Sequence, residues 1–423
     1  MGVLAVVVSL FLLITVLKFY GDAFYRAAAI LAFVGHIVVS FALIPAVPYT
    51  WDIGAFHQTT LTILSGNLPI ESSTVASFGG VQSILYSIFS SQPTTLGALN
   101  GILAILLFIP IRYLCQQLYP SMPDDHYGVM TLVLFLPLPF FLLSVPMRDT
   151  FTLFLFFSLI AIALRALLSR QPLLAVPLVP LWGMLFLLRP ELALISLLGG
   201  IAATITEGLR GMESDISASK LGIALSPLGA IGFGLFAGLL YPFAAVNTEL
   251  VTRSRGGAVY LDGMQYTSWF DFLFALPGRA IYFQFAPFPL HVESAFHLLA
   301  FSATPIVIVL FVSAARSLYE GKCDETVAML LVVVYLAGIA GYGAINSNFG
   351  TNVRHRIAFE FLLVIMAAPV IRRWELTVRK WIGVVPGHHS QSHEQERETE
   401  EFDRGMHIRD QNPNQTDNGN QAE

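Results

Sequence analysis

Charged residues are scarce in this sequence. Asp, Glu, Lys and Arg make up 12% of its 423 residues, whereas 55% are hydrophobic. Soluble globular domains carry about 25% charged residues, which keep their surfaces in water. This composition excludes a set of soluble domains and favours an integral membrane protein.

Cysteine is nearly absent, and so are the common nucleotide and metal motifs. The chain has two cysteines, Cys115 and Cys323, so neither a disulfide framework nor a Cys-ligated metal site is predicted. It has no P-loop, no Gly-rich nucleotide fingerprint and no Gly-x-Ser-x-Gly. We therefore predict no metal and no cofactor. Nucleic acid is not an expected partner, and the net charge of −5 comes largely from an acidic C-terminal tail.

Long apolar runs of the chain match the thickness of a bilayer. A helix needs about 20 residues to cross some 30 Å of hydrocarbon, and the runs lack the polar/apolar alternation of barrel strands. The sequence therefore predicts an all-α polytopic transmembrane helical bundle with about 11 spans, within a range of about 10–13. The predicted spans are 2–17, 27–47, 95–111, 127–146, 150–168, 172–188, 191–206, 221–246, 296–314, 326–345 and 357–371.

The positive residues give this assignment a direction. Lysine and arginine near span ends are retained in the cytoplasm, and this set of spans places every lysine on one side. The protein is then predicted to lie in the plasma membrane, with its N-terminus on the external side and its C-terminal tail in the cytoplasm. Residues 78–91 are too short and serine-rich to cross, so they are expected to be re-entrant or interfacial. The predicted cytoplasmic residues are Lys18, Arg26, Arg112, Arg165, Arg170, Arg210, Lys220, Arg316, Lys322, Arg372, Arg373, Arg379 and Lys380.

Three segments follow from these spans. Residues 1–371 form the transmembrane domain, whose external loops 48–94 and 247–295 carry re-entrant or interfacial helices. Aromatic residues of 269–285 suit the headgroup boundary. Residues 372–386 form a basic juxtamembrane segment, and 387–423 is predicted to be a disordered, acidic cytoplasmic tail.

The external side holds positive residues of one type only. All seven are arginine, whose planar guanidinium binds phosphate and carboxylate with two parallel hydrogen bonds. Some lie in turns too short to leave the membrane surface, and those turns also carry acids. The external arginines are Arg148, Arg189, Arg253, Arg255, Arg279, Arg354 and Arg356.

The external acids and histidines have both ordinary and functional interpretations. Arg148 with Asp149, and Arg189 with Glu191, are ion pairs within one turn or parts of an anion site. Arg253 and Arg255 lie in a solvated loop or contribute to the same site. Asp52 has no basic neighbour in the sequence and is the strongest candidate base. His57 accompanies Asp52, while Glu360 follows Arg356 by one helical turn and either pairs with it or faces a cavity.

Five short motifs resemble those of known membrane enzymes. They are Trp51-Asp52 after an early span, Val145-Pro-Met-Arg-Asp149, Leu187-Leu-Arg-Pro-Glu191, Phe285-Ala-Pro-Phe-Pro289 and Gly350-Thr-Asn-Val-Arg-His-Arg356. Over about residues 45–371 the chain resembles polytopic proteins of prokaryotic surface-polysaccharide clusters. These are the Wzy-like and EpsG-like polymerases and the GT-C type of lipid-linked-sugar glycosyltransferases.

The resemblance implies an active site on the external face and a polyprenyl-phosphate- or pyrophosphate-linked sugar donor. Arginines would hold the phosphate, and an acid of the first large external loop, here Asp52, would activate the acceptor. The paired acids common in that loop are absent, because Ile53 and Gly54 follow Asp52. The resemblance therefore supplies no metal site.

These observations predict a membrane glycosyltransferase or polysaccharide polymerase, with the bilayer and a polyprenyl-phosphate-linked sugar as partners. The alternatives are a transporter or flippase of a lipid-linked or anionic substrate and a non-catalytic scaffold. Proline-interrupted spans favour transport, whereas charge gathered on one face favours the enzyme. The predicted catalytic residues are Asp52, Asp149 and Glu191; the predicted phosphate-binding residues are Arg148, Arg189, Arg279, Arg354, His355 and Arg356; His57 and Glu360 are secondary.

Overall fold

The computed structural model describes most of the predicted transmembrane domain. Its described residues are 2–19, 23–46, 51–67, 73–123, 126–210, 243–253, 259–260, 263–293, 295–320 and 322–381. The chain divides into two units, Met1–Arg373 and Trp374–Glu423, and only 374–381 of the second is described. Most of the predicted span 221–246, the tail 387–423, Lys220 and Arg255 lie outside the described residues.

The described residues form helices and no β-strand, which confirms the all-α prediction. The helices are α1 Val3–Phe19, α2 Ala23–Ala46, α3 Trp51–Leu64, α4 Thr74–Ile88, α5 Pro93–Leu118, α6 Tyr127–Phe135, α7 Pro137–Ser144, α8 Asp149–Ser169, α9 Leu178–Leu188, α10 Pro190–Arg210, α11 Phe243–Arg253, α12 Trp269–Phe285, α13 Ala295–Tyr319, α14 Glu325–Ile345, α15 Phe349–His355, α16 Ile357–Met366 and α17 Ala368–Trp381.

Six of these helices are long and apolar enough to cross a membrane: α2, α5, α8, α10, α14 and the His297–Tyr319 part of α13. A seventh span is obtained if α6 and α7, which meet at an angle of 52°, are counted as one. The chain bends there because Pro137 follows an extended Leu136. Three shorter apolar helices, Val3–Phe19, Leu173–Leu188 and Ile357–Met366, account for further predicted spans only if they also cross. The number of eleven therefore stays a prediction.

Helices α10 and α14 set the distance between two groups of charge. They pack antiparallel: Arg210 at the end of α10 bonds Asp324 before α14 at 2.8 Å. Arg253 links their other ends through Glu191 at 2.6 Å and Asn346 at 3.2 Å. Each helix has 21 residues, so the two charged ends lie about 30 Å apart at 1.5 Å per residue.

The short helix α16 is the centre of the bundle. All ten of its residues are buried, and α5, α6, α13 and α14 surround it. Close approach to α14 needs a residue without a side chain. A Cβ at Gly338 would lie 1.9 Å from Phe359 Cε1, so the Phe359 ring occupies the space that any larger residue would need.

A second close approach positions a candidate site residue. A Cβ on Gly343 of α14 would lie 2.8–3.0 Å from the backbone of Arg279 and Ala280 on α12. The Gly343 carbonyl also accepts a hydrogen bond from Arg279 Nε at 2.8 Å. Because backbone atoms cannot move aside as a side-chain end can, this contact fixes α12 against α14.

We expect Gly343→Ala to lower the midpoint of thermal unfolding in detergent, since overpacking costs about 1–3 kcal/mol. Gly341→Ala is the matched control on the same helix, because a Cβ there meets no atom within 4 Å. It should leave the midpoint unchanged or raise it, as alanine favours a helix over glycine by about 1 kcal/mol. Equal effects of the two substitutions would contradict this packing.

Candidate functional site

Three breaks in the helices bring arginine side chains to one end of the bundle. Arg148 ends the bend before α8. Arg189 has an extended φ of −151° because Pro190, the first residue of α10, disfavours helical backbone before it. Arg354 lies near the end of α15, whose start is capped by the Asn348 side chain bonding Gly350 N at 2.8 Å. Each of these three arginines therefore lies at or next to a short break between helices and faces the bundle.

Asp149 is the centre of this arrangement. Its Oδ1 accepts a hydrogen bond from Arg189, and its Oδ2 accepts one from Arg354 at 3.0 Å. Arg354 also donates to Asp52, 302 positions away in the sequence. Asp149 is 5% exposed. We name Asp52, Arg148, Asp149, Arg189 and Arg354 the arginine cluster.

A second set of polar groups continues from Arg189. Its Nη1 contacts Nε2 of His355, and His355 Nδ1 lies 3.3 Å from Asn346 Nδ2. The Asn346 side-chain oxygen accepts from Arg253 at 3.2 Å. Glu191 accepts from Arg253 at 2.6 Å. These bonds join the ends of α8, α10, α11, α14 and α15 in one polar network.

Arg148 has buried hydrogen-bond donors that no described residue accepts. Its guanidinium lies 5.5 Å from the centre of the Phe56 ring. Its Nε and Nη1, and Arg189 Nε, are buried without a hydrogen-bond partner among the described residues. Burial, and then the charge of Arg189, lower the pKa of Arg148 to about 9. With three arginines against two carboxylates, the cluster carries one surplus positive charge.

His355 shows the same surplus of donors. Burial, and then the charges of Arg189 and Arg253, hold its pKa well below the usual range, so the ring is neutral at pH 7. Arginine only donates, so Nε2 must accept and Nδ1 carries the proton. That proton faces the Asn346 amide nitrogen, whose oxygen is taken by Arg253. Both ring nitrogens thus face donors, although a neutral imidazole accepts at only one.

The structure pairs the predicted residues differently from the sequence interpretation. Arg189 bonds Asp149 rather than Glu191, and Glu191 bonds Arg253, so the ion pair between Arg189 and Glu191, one of the two alternatives, is not formed. Arg253 is 19% exposed and bonded to two acids, which excludes a freely solvated side chain. Asp52, without a basic neighbour in the sequence, has Arg354 beside it. Long-range packing supplies these partners.

Arg279 lies beside the arginine cluster but is used by the fold. It donates to the Gly343 and Asn346 carbonyls at 2.8 and 2.7 Å and lies over the Tyr266 ring. It is 4% exposed. Its Nε and Nη2 therefore hold the end of α14, and its predicted role in phosphate binding stays a prediction.

Arg356, Glu360 and His57 bond partners outside the cluster. Arg356 and Glu360 form a buried ion pair at 2.7 Å, and Arg356 also donates to the Ala286 carbonyl at 2.6 Å. His57 is bonded to Tyr86 Oη at 3.1 Å, between α3 and α4. The pairing of Arg356 with Glu360 that the sequence left open is present.

Two contributors were missed at the sequence level. Phe56 follows Asp52 by one helical turn, a signal that periodicity could have supplied. Asn346 follows the last residue of α14, and nothing in the sequence distinguishes it from an ordinary helix end.

A small cavity beside the cluster is lined by Asp149, Thr152, Leu153, Arg189, Leu192, Tyr342, Arg354, His355 and Ala358.

No metal site is built here from the described residues, where no three His, Cys, Asp or Glu side chains group together. Asp52 and Asp149 are joined by a guanidinium instead.

Comparison of the chain with models of known protein families, with curated proteins and with solved structures finds no match.

We expect Arg148→Met to raise the midpoint of thermal unfolding at pH 7 by about 2–4 °C. The lowered pKa means that the charged guanidinium opposes folding below pH 9, and this cost is relieved as the pH rises above 9. Arg354→Met should lower the midpoint instead and cost about 3 kcal/mol, because Asp52 loses its arginine partner and Asp149 keeps only Arg189. A loss of stability in Arg148→Met as large as in Arg354→Met would contradict this account.

Proposed function

We propose that this protein is a membrane glycosyltransferase or polysaccharide polymerase that uses a polyprenyl-phosphate- or pyrophosphate-linked sugar donor. The observation that carries the proposal is the surplus of buried guanidinium donors on Arg148 and Arg189 beside two carboxylates. A phosphate has several acceptor oxygens and negative charge, which is what the cluster lacks. The likeness to the surface-polysaccharide enzymes is part of this proposal.

The proposal includes a topology of about eleven spans in the plasma membrane, with the N-terminus outside and the tail in the cytoplasm. The arginine cluster is then external, because lysine occurs only at the other side. The separation of Arg210 and Asp324 from Arg253 and Asn346 along α10 and α14 supports this arrangement. A lipid-linked donor would reach the cluster from the outer leaflet.

Arg148, Arg189 and Arg354 are assigned to the donor phosphate. In the transfer step an acceptor hydroxyl attacks the anomeric carbon, and a C–O bond to this carbon forms as its bond to the phosphate oxygen breaks. The phosphate leaves with the bonding electron pair. Fixed guanidinium groups in a partly dry site stabilise the negative charge that develops on it.

The carboxylates have separate roles in this proposal. Asp52 receives the proton of the acceptor hydroxyl, since it is the more exposed acid. Its side chain is 17% exposed, against 6% for the side chain of Asp149. Asp149 has arginines on both oxygens and orients them. Glu191 orients Arg253 in the same way. Asp149 and Glu191 are thus positioning residues.

One observation favours transport as the second candidate. An apolar cleft lies between the bend of α6 and α7 and helix α13, lined by Leu136, Ile306 and the carboxylate-bearing Glu360. Broken helices beside an intramembrane acid occur in secondary transporters. Movement of a labelled polyprenyl-phosphate sugar across liposomes without sugar transfer would favour this candidate.

Arg354→Lys should reduce sugar transfer by about 100-fold or more, the loss typical of a removed transition-state donor. A single ammonium cannot reproduce the two-armed contact with Asp52 and Asp149. The measurement is transfer of radiolabelled sugar from a polyprenyl-linked donor by the purified protein in nanodiscs. Arg210→Lys, at the opposite end of α10 and 55% exposed, is the control and should retain activity. Full-length glycan from Arg354→Lys would overturn the phosphate role.

A further inference from the structure

We propose that Asp52 occupies the anion position on Arg354 in the resting protein and that the donor phosphate displaces it, moving the first turns of α3. The inference rests on the proposed function, because it concerns how the phosphate site is regulated. Its basis is the way α3 is held: by apolar and neutral polar contacts along its length, including the buried Ile53 and Phe56, and by an ion pair of Asp52 at its start.

The later part of α3 is anchored to α4. Thr60 donates to Gln82 Oε1 at 3.0 Å, and both side chains are buried. A Cβ on Gly79 would lie 3.1 Å from Thr59 Cγ2, so the two helices are in close contact there. Helix α4 itself packs against α5 and α9. This half of α3 is therefore a fixed part of the bundle.

The start of α3 is held over the arginine cluster. Asp52 bonds Arg354, and the Phe56 ring lies over Arg148, one turn further along the same face. Gly54, between them, has no neighbour within 4 Å of the position of a Cβ. The ion pair is partly exposed, at 12% for Arg354 and 17% for Asp52, so water and ions reach it.

A phosphate competes well for this position. Arg354 keeps Asp149 on its other arm when Asp52 leaves, so no buried charge is left unpaired. A phosphate or pyrophosphate also supplies acceptors to Arg148 Nε and Nη1, which Asp52 does not. One carboxylate is thus exchanged for a group of higher charge with more acceptor oxygens.

The exchange has a consequence for the chemistry. In the resting protein Asp52 Oδ2 accepts a hydrogen bond from Arg354, so this oxygen is not available to an acceptor hydroxyl. Displacement frees Asp52 only when the donor phosphate is in place. The base is then available next to a bound donor and is blocked in its absence.

The test measures binding of inorganic pyrophosphate to the full-length protein in nanodiscs, together with a distance between two spin labels. One label is at Ala55→Cys, on an exposed position of the first turns of α3, and the other at Gly278→Cys, where the site for a side chain is open. Cys323→Ser removes the partly exposed native thiol, and Cys115 is fully buried. A second pair, Thr62→Cys with Gly278→Cys, reports on the anchored half.

Asp52→Asn should bind pyrophosphate at least tenfold more tightly than the native chain. Pyrophosphate should shift the distance from position 55 to 278 by ~5 Å, one helical pitch, and leave the distance from 62 to 278 unchanged. Asp271→Asn, an acid bonded to Thr267 N outside the cluster, is the control for charge and should bind as the native chain does.

Two failures are distinguishable. If the native chain and Asp52→Asn bind pyrophosphate equally and the 55–278 distance does not change, the displacement is wrong while the phosphate site stands. If neither folded protein binds pyrophosphate, the proposed function is overturned and the displacement with it. Equal shifts of the 55–278 and 62–278 distances would also contradict the proposal, because the later half of α3 is expected to stay in place.

Discussion

A shortage of hydrogen-bond acceptors at one end of the bundle determines the character of the site. Arg148 and Arg189 bury guanidinium nitrogens without a partner among the described residues, and His355 meets donors on both sides. Leaving buried donors unpaired costs free energy that a stable scaffold would avoid. An anion removes that cost, so the arrangement favours binding over stability.

Packing in the rest of the bundle holds these side chains in position. Glycine contacts fix α14 against α12 and α16, and Pro190 ends the helix before Arg189. Arg279 and Arg356 donate hydrogen bonds to backbone carbonyls, and these bonds hold the ends of α14 and α12 against the core. The arginines thus have different roles: Arg279 and Arg356 hold helix ends in place, whereas Arg148 and Arg189 keep donors without a partner among the described residues.

Composition and run length are sufficient to predict an all-helical membrane protein, because bilayer thickness imposes a length on each span. The gathering of Arg148, Arg189 and Arg354 could also be predicted, because all positive residues on the predicted external side are arginine. Their partners could not, since Arg354 meets Asp52 and Arg253 meets Glu191 only through packing of distant helices. The role of Asn346 depends on the same tertiary context. The short α16 shows that an apolar run can be buried by protein instead of lipid.

The most direct measurement of the central claim is a cryo-electron microscopy map of the protein in nanodiscs with saturating pyrophosphate at pH 7. The account predicts density for the anion between Arg148, Arg189 and Arg354, absent from a map of Arg148→Met prepared in the same way. Density located elsewhere, or an arginine cluster unchanged and without bound anion at saturation, would contradict it.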